Sequence, residues 1–399
     1  MTVWDDVVGQ EPVVAGLLRA VEASQQVLAV ARGAQGAEGA EGSAAGQQAM
    51  THAWLFTGPP GSGRSVAARA FAAALQCPDG GCGSCTACRT TLAGTHADVR
   101  LVRTEQLSIR VDDVRALVAD AARTPSQGRW QVVLMEDADR LTEQAANALL
   151  KAVEEPGART VWLLCAPALE DVIPTIRSRC RHVLLRTPSP AAVAAVLERR
   201  DGIDSAMAHF AARASQGHIG RARRLALDEQ ARNRRHAALA LPTRLGTLAE
   251  CLAAAADLVA GADEEAAAAT AELDEKESAA LARALGAGTT GRGMATGAAG
   301  QLKELEKQQK LRATRLKRDA LDRALVDLAS FYRDVLAVQV GAGVELVNDE
   351  LRPAVVKIAS ATAPEQTLRR IEAVLECRER IEANSAPLLA VEALTVVLR

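Results

Sequence analysis

Aromatic side chains are scarce in this sequence: one Tyr, four Phe and four Trp among 399 residues. A core with so few large rings has to be assembled from Ala and aliphatic side chains. The abundance of Ala favours helices, because Ala loses no side-chain entropy on ordering. Net charge is scarce as well. A formal charge of −2 excludes attraction of the whole chain to nucleic acid or anionic lipid, so any DNA contact has to be local or made by a partner. Runs of about 18 apolar residues are missing, which excludes a helical membrane span. The opening Met1-Thr2-Val3-Trp4-Asp5-Asp6 is acidic and has no apolar core, so no secretory leader is expected. A reducing, cytoplasmic setting follows as the expectation, in which eight cysteines do not make four disulfides.

What is present is length for two or three domains and an alternating pattern in the first half. A turn at Gly9-Gln10 leads into an amphipathic stretch up to Val30. Residues 33–48 are almost wholly Gly, Ala, Glu, Gln and Ser, and read as a disordered insertion that cannot bury enough apolar surface to fold. Strands are then predicted at Ala53–Phe56, Val99–Val102, Trp130–Met135, Thr160–Cys165 and His182–Leu185. Helices are predicted between them, over about Arg64–Leu75, Val111–Arg123 and Thr142–Val153. Short apolar strands alternating with helices call for a parallel sheet covered on both faces. Pro188 and Pro190 mark a boundary, beyond which the pattern is helical to the end. Residues 286–300 read as a second flexible stretch. The helix Gln301–Arg323 carries Lys303, Lys307, Lys310, Arg312, Arg315, Lys317 and Arg318, either a solvated face or a surface toward DNA or a partner.

Three motifs in the first half bear on phosphate chemistry. Gly58-Pro59-Pro60-Gly61-Ser62-Gly63-Arg64-Ser65 follows a strand and opens a helix, as a phosphate-binding loop must. Its glycines let backbone amides turn onto phosphate oxygens, and the helix amino terminus adds a favourable field. Lysine at position 64 would be a compact point charge, whereas Arg64 is a bulkier planar fork. The strand Val132–Met135 ends in Glu136-Asp137, where a hydrolysing site wants Asp first, near magnesium, and Glu second, near the attacking water. In the reversed order Glu136 overshoots and Asp137 falls short, and a misplacement of about 1 Å costs on the order of a hundredfold in rate. Acids that merely solvate the strand end are the alternative. Third, Pro174-Thr175-Ile176-Arg177-Ser178-Arg179-Cys180 follows the strand ending at Cys165.

Cys77-x4-Cys82-x2-Cys85-x2-Cys88, broken by Pro78, Gly80, Gly81 and Gly83, suits four thiolates around a structural zinc with no open position. Free thiols are the alternative. Cys165, Cys180, Cys251 and Cys377 read as small core residues, and His96 as structural rather than a fifth ligand.

The order of Trp4-Asp5-Asp6-Val7-Val8-Gly9-Gln10, the phosphate loop, the cysteine group, the acidic strand end and Ser178-Arg179-Cys180 resembles the AAA+ clamp-loader subunits of bacterial DNA polymerase III. The likeness covers about residues 1–240 by motif, and the helical tail is compatible in length with the family's collar domain. It implies an α/β AAA+-type nucleotide-binding domain at 1–187 with the zinc module at 77–88. A helical lid at 188–243 and an all-helical collar at 244–399 complete the implied architecture. In the family's tau/gamma type the loop carries Lys, the acidic pair is Asp-Glu, a polar residue ends the following strand, and a later Gly-Ser-x-Arg-Asp supplies a further arginine. Here Arg64, Glu136-Asp137, Cys165-Ala166-Pro167 and Gln216-Gly217-His218-Ile219-Gly220-Arg221 depart from that pattern, while Arg179 is kept. Arg221 or Arg223 would compensate only by a shift in register. This combination resembles the delta-prime type. It implies a trans-acting arginine finger at Arg179 and a degenerate ATP or ADP site, with magnesium unsettled, at 58–65, Glu136 and Asp137. It also implies tau/gamma and delta partners in a hetero-pentamer, working with the sliding clamp and primer-template DNA. An autonomous tau/gamma-like motor is the alternative.

Overall fold

The computed structural model describes residues 2–31, 50–104, 108–157, 159–285 and 298–399. They fall into two compact units, Met1–Ala226 and Leu227–Arg399. The stretches expected to be flexible, 33–48 and most of 286–300, lie outside the described residues.

In the first unit the apolar runs become β1 (Ala53–Thr57), β2 (Val99–Val102), β3 (Gln131–Met135), β4 (Thr160–Ala166) and β5 (Arg181–Leu184). They form one five-stranded sheet in the order β2-β3-β4-β1-β5, with every pair parallel. β1 and β4 are buried along their whole length, which is why they lack an apolar-polar alternation. The helices are α1 (Glu11–Ala31), α2 (Arg64–Gln76), α3 (Thr86–Leu92), α4 (Val111–Ala121), α5 (Glu143–Glu154) and the single turn α6 (Pro174–Arg177). Successive strand residues feed opposite faces. Trp54, Phe56, Val132 and Leu134 pack with Phe71 of α2, while Leu55, Val133, Met135 and Trp162 pack with Leu149 and Val153 of α5. The sheet is parallel and covered by helices on both faces, the α/β arrangement that the alternating pattern called for. β1 sits between β4 and β5, so the loops leaving β1, β3 and β4 open at the carboxyl edge where such sheets bind ligands.

One buried carboxylate holds the approach to β3. Asp98 accepts from the Ser126 amide (2.6 Å) and hydroxyl (2.8 Å), the Gln127 amide (2.8 Å) and the Gly128 amide. Burial opposes its ionisation, but the donors from Ser126, Gly128 and Gln127 outweigh that and hold the carboxyl below its usual range. A depressed carboxyl stabilises the fold above its unfolded pKa and stops doing so as pH falls through the folded value. Asp98→Ala is therefore expected to lower the stability of the first unit by about 2 kcal/mol at pH 7. Urea titrations from pH 7 downward should show the gap to wild type closing below about pH 4.

Three short helices follow the sheet: α7 (Pro190–Asp201), α8 (Ser205–Ala214) and α9 (Ile219–Leu227). Ser189 and Asp204 cap the first two, each accepting from an amide in the first turn.

Among its described residues the second unit is built of helices joined by turns and loops, without strands: α10 (Glu229–Ala240), α11 (Leu248–Ala284), α12 (Ala298–Gln339), α13 (Arg352–Ala361), α14 (Pro364–Glu382) and α15 (Pro387–Leu398). Leu321, Leu325, Phe331, Tyr332, Val335, Val374 and Leu394 are fully or almost fully buried at its centre. A buried polar group pins one side of this core: Arg235 meets Asp327 at 3.2 Å, Glu350 at 2.6 Å and the Asn348 side chain.

The basic run of α12 is only in part a solvated face. Arg312 is buried and bonds Asp274 (2.9 Å) and Glu277 of α11, Lys317 meets Asp263 (2.7 Å), and Arg323 meets Glu265 (2.5 Å). The acids of α11 face these positions across the antiparallel hairpin, which a reading of one helix alone does not reveal. Lys303, Lys307 and Lys310 are exposed, and Gly300 lies inside α12 rather than in a flexible stretch.

Candidate nucleotide site, metal centre and exposed arginine

The phosphate loop leaves β1 and turns into α2 through Gly63, whose φ of 89° is left-handed and open to glycine at no cost. Gly61 is required by contact as well as conformation. A side chain there would meet Cα, Cβ and Cγ of His218 at 2.4 Å, so His218 lies flush on the loop. Gln10 ties the loop from another side. Its Nε2 donates to Ser62 O (3.4 Å) and Arg186 O (2.6 Å), and its Oε1 accepts from the Arg186 amide (3.2 Å). The sequence motif around Trp4–Gln10 therefore has a structural purpose, which spacing alone could not assign. The Ser62 hydroxyl is buried with no hydrogen-bond partner among the described residues.

Arg64 does not reach outward. Its Nη1 donates to Gly58 O at 2.7 Å, folding the guanidinium onto its own loop. Burial pushes its pKa below the usual value, offset only in part by Cys165, Asp139, Asp137 and Asp171 nearby. Glu136 is almost buried, its side chain 8% exposed, and its Oε1 takes Arg69 Nη2 at 2.6 Å and Nε at 2.9 Å. Arg103 approaches the other oxygen at 3.7 Å. A carboxylate so engaged balances guanidinium charge and is not set up as a magnesium ligand. Asp137 accepts from the Thr104 amide at 3.3 Å and has Arg140 at 4.0 Å. Burial raises the carboxyl of the next acid, Asp139. At the end of β4, Cys165 is fully buried, and Pro167 O accepts from the Gly58 amide at 3.1 Å. Arg69 stands on α2 five residues after Arg64, well off its face of the helix, so helical spacing gave no notice of it.

Farther along, Gly220 presents no side chain near the loop, and Arg223 is tied to Asp201 of α7 at 3.0 Å. His218 accepts the Arg221 amide hydrogen through Nδ1 at 3.2 Å.

Cys77, Cys82, Cys85 and Cys88 converge, with all four sulfurs within 4.8 Å of one another. The Cys77–Cys82 and Cys77–Cys85 separations are 3.7 and 3.8 Å. A tetrahedron of metal-sulfur bonds of about 2.3 Å has edges of about 3.8 Å, which these two separations match, so the four sulfurs could hold a zinc ion. Backbone amides of Cys82 and Cys88 donate to the sulfurs of Cys77 and Cys85, both at 3.4 Å, as thiolates require. The module closes the carboxyl end of α2 and opens α3, and Cys77 and Cys88 are part of the core beneath it. His96 lies outside it, accepting the Asp98 amide at 3.1 Å. Of the scattered cysteines, Cys165, Cys251 and Cys377 are buried, and Cys180 is half-buried against the core.

Arg179 follows α6, which is anchored by the fully buried Ile176. Its Nη1 donates to Thr175 O (2.9 Å) and Ser178 Oγ (3.2 Å), and its Nε meets Glu154 Oε1 at 2.5 Å. The side chain stays 41% exposed. The loop arginine faces inward and this one faces the surface.

The family model described as "DNA polymerase III, delta subunit" matches residues 42–189. The delta' subunit of DNA polymerase III from Pseudomonas aeruginosa is 41% identical over 153 residues, 37% of this chain and 47% of that protein. Residues 42–189 are thus similar to DNA polymerase III delta and delta' subunits. The Escherichia coli delta' subunit is 38% identical over 149 residues, 36% of this chain and 45% of its own. The gamma/tau subunit of Mycobacterium tuberculosis is 33% identical over 199 residues, 49% of this chain and 30% of its own. The chain spans about half the length of the delta' relatives it matches. A DNA polymerase III gamma-subunit-related protein of Thermotoga maritima aligns over 88% of this chain and 95% of its own, at 15% identity and a TM-score of 0.36. Among the described residues no helix is long and apolar enough to cross a membrane.

Proposed function

We propose that the chain is a delta-prime-type subunit of a DNA polymerase III clamp loader. In this reading it sits in the cytoplasm in a hetero-pentamer with tau/gamma and delta subunits. It helps place the sliding clamp on primer-template DNA, and Arg179 serves a neighbour's ATP in trans. Residues 1–187 form the AAA+-type domain, 188–243 the lid and 244–399 the collar. The observation that carries this reading is the opposite fate of two arginines. Arg64 is spent on Gly58 O of its own loop, while Arg179 keeps a half-exposed guanidinium on the outer face. Preorganised positive charge of that kind stabilises the charge that develops on a transferring phosphoryl group.

The engagement of Glu136 by Arg69 supports a degenerate cradle at residues 58–65, Glu136 and Asp137, one that holds ATP or ADP weakly and with little help from magnesium. The four cysteines, Cys77, Cys82, Cys85 and Cys88, would hold zinc, which supplies a fixed tetrahedral cross-link and no chemistry. In the collar, Leu389 (66% exposed) and Val397 (55%) on α15 offer apolar surface suited to oligomer contacts. The purified chain alone is expected to show no ATP turnover above background in a steady-state phosphate-release assay. Robust turnover without partners would overturn the reading in favour of an autonomous tau/gamma-like motor.

A further inference from the structure

Glu154 is the last residue of α5, and nothing in a phosphate-loop chemistry asks for an acid there. Its carboxylate nevertheless meets Nε of Arg179 at 2.5 Å, the shortest of the contacts that arginine makes. We propose that Glu154 is the positioning residue for the Arg179 guanidinium, holding it side-on so that its outer edge is aimed at a phosphate on a neighbouring subunit. The proposal rests on the reading of Arg179 as a finger acting in trans.

Three features support it. First, the hold is partial: Nε goes to Glu154 and Nη1 to Thr175 O and Ser178 Oγ, and no described residue takes Nη2. A carboxylate that masked the arginine would be expected to take two of its nitrogens in a fork arrangement. Second, Arg carries large rotamer entropy, and two neutral acceptors on its own turn restrain it less than a charged one does. The acid pre-arranges the fork before any phosphate arrives. Third, the pair is not needed for packing. α5 and α6 are already joined to the core through Leu149, Val153 and Ile176, all fully buried. Both partners are about two-fifths exposed, a setting in which ion pairs add little to stability. Loss of Glu154 should then register in rate rather than in folding.

The test uses the full chain assembled with tau/gamma and delta subunits, clamp and primed DNA, with phosphate release followed in a single turnover of pre-bound ATP. Arg179→Ala should remove one kinetic phase, and that phase defines the facing site. Glu154→Ala should slow the same phase about tenfold to a hundredfold, the cost of a misplaced catalytic group, with ATP affinity unchanged. Glu154→Gln keeps an oxygen acceptor at the same reach but removes its charge, and should slow the phase less than Glu154→Ala does. Should Glu154→Ala fail to assemble, Glu154→Asp, one methylene shorter, carries the same expectation of slowing. A wild-type phase in both Glu154→Ala and Glu154→Asp, or a faster one in either, overturns the positioning role while leaving the finger intact. If Arg179→Ala itself leaves every phase unchanged, the underlying reading falls instead.

Discussion

Arg179→Ala is expected to lower hydrolysis at the ATP site it faces by about a thousandfold, the lower end of what an arginine finger contributes. In the proposed assembly the other sites keep their own fingers. Quenched-flow measurement of phosphate per complex should therefore fall short by one nucleotide rather than to zero. Binding of ATP should change little, since the guanidinium acts on charge that develops only as the phosphoryl group transfers. The expectation follows from geometry: the side chain is anchored at Nε and Nη1 yet 41% exposed, on a turn pinned by buried Ile176. A deficit spread equally over all sites would point to impaired assembly instead, and gel filtration of the variant complex separates the two. Arg64→Ala, whose side chain bonds only its own loop among the described residues, should leave neighbour hydrolysis near wild type.

The second large effect is expected at the cysteine module. Cys88→Ser should abolish stoichiometric zinc and cost the first unit about 3 kcal/mol or more, because a buried metal cross-link and its thiolate charge balance are lost together. Cys77 and Cys88 are both fully buried in the same cluster as Phe71 and Leu75, so the proposed metal site and the core are parts of one packing problem. Elemental analysis together with thermal melting checks this. Cys251→Ser, in the second unit, is the control and should retain zinc. A wild-type protein purified without metal and equally stable in chelator would remove the module from the account.

Much of this was legible from one strand of letters. The strand Val99–Val102 has the bounds that its apolar pattern indicated, and the helices opening at Arg64 and Val111 begin where their preceding turns indicated. Elements set by local pattern are readable because period and caps are local properties. The four-cysteine group was equally readable, since its spacing leaves few ways to close. What could not be read were pairings across distance. Arg69 meets Glu136 across 67 positions and Gln10 meets Arg186 across 176, and neither partner announces the other. The basic helix went astray for the same reason. Arg312 and Lys317 looked like a solvated face until α11 supplied Asp274 and Asp263 opposite them. Its length was also underestimated: α12 runs Ala298–Gln339, and neither Gly300 nor the stretch beyond Arg323 carries a stop signal strong enough to end it. Within the site, the departures at Arg64 and Glu136-Asp137 were visible as residue types. The consequence, an arginine folded back and an acid neutralised, needed coordinates.

The Gln10 bridge carries a mechanical consequence. One carboxamide is clipped to the backbone of Ser62 in the phosphate loop and, at both its ends, to Arg186 just ahead of α7. A lever joined at two points passes on displacement. Any shift of the loop by more than the slack of a hydrogen bond, a few tenths of an ångström, must either break this link or drag the root of α7 along with it.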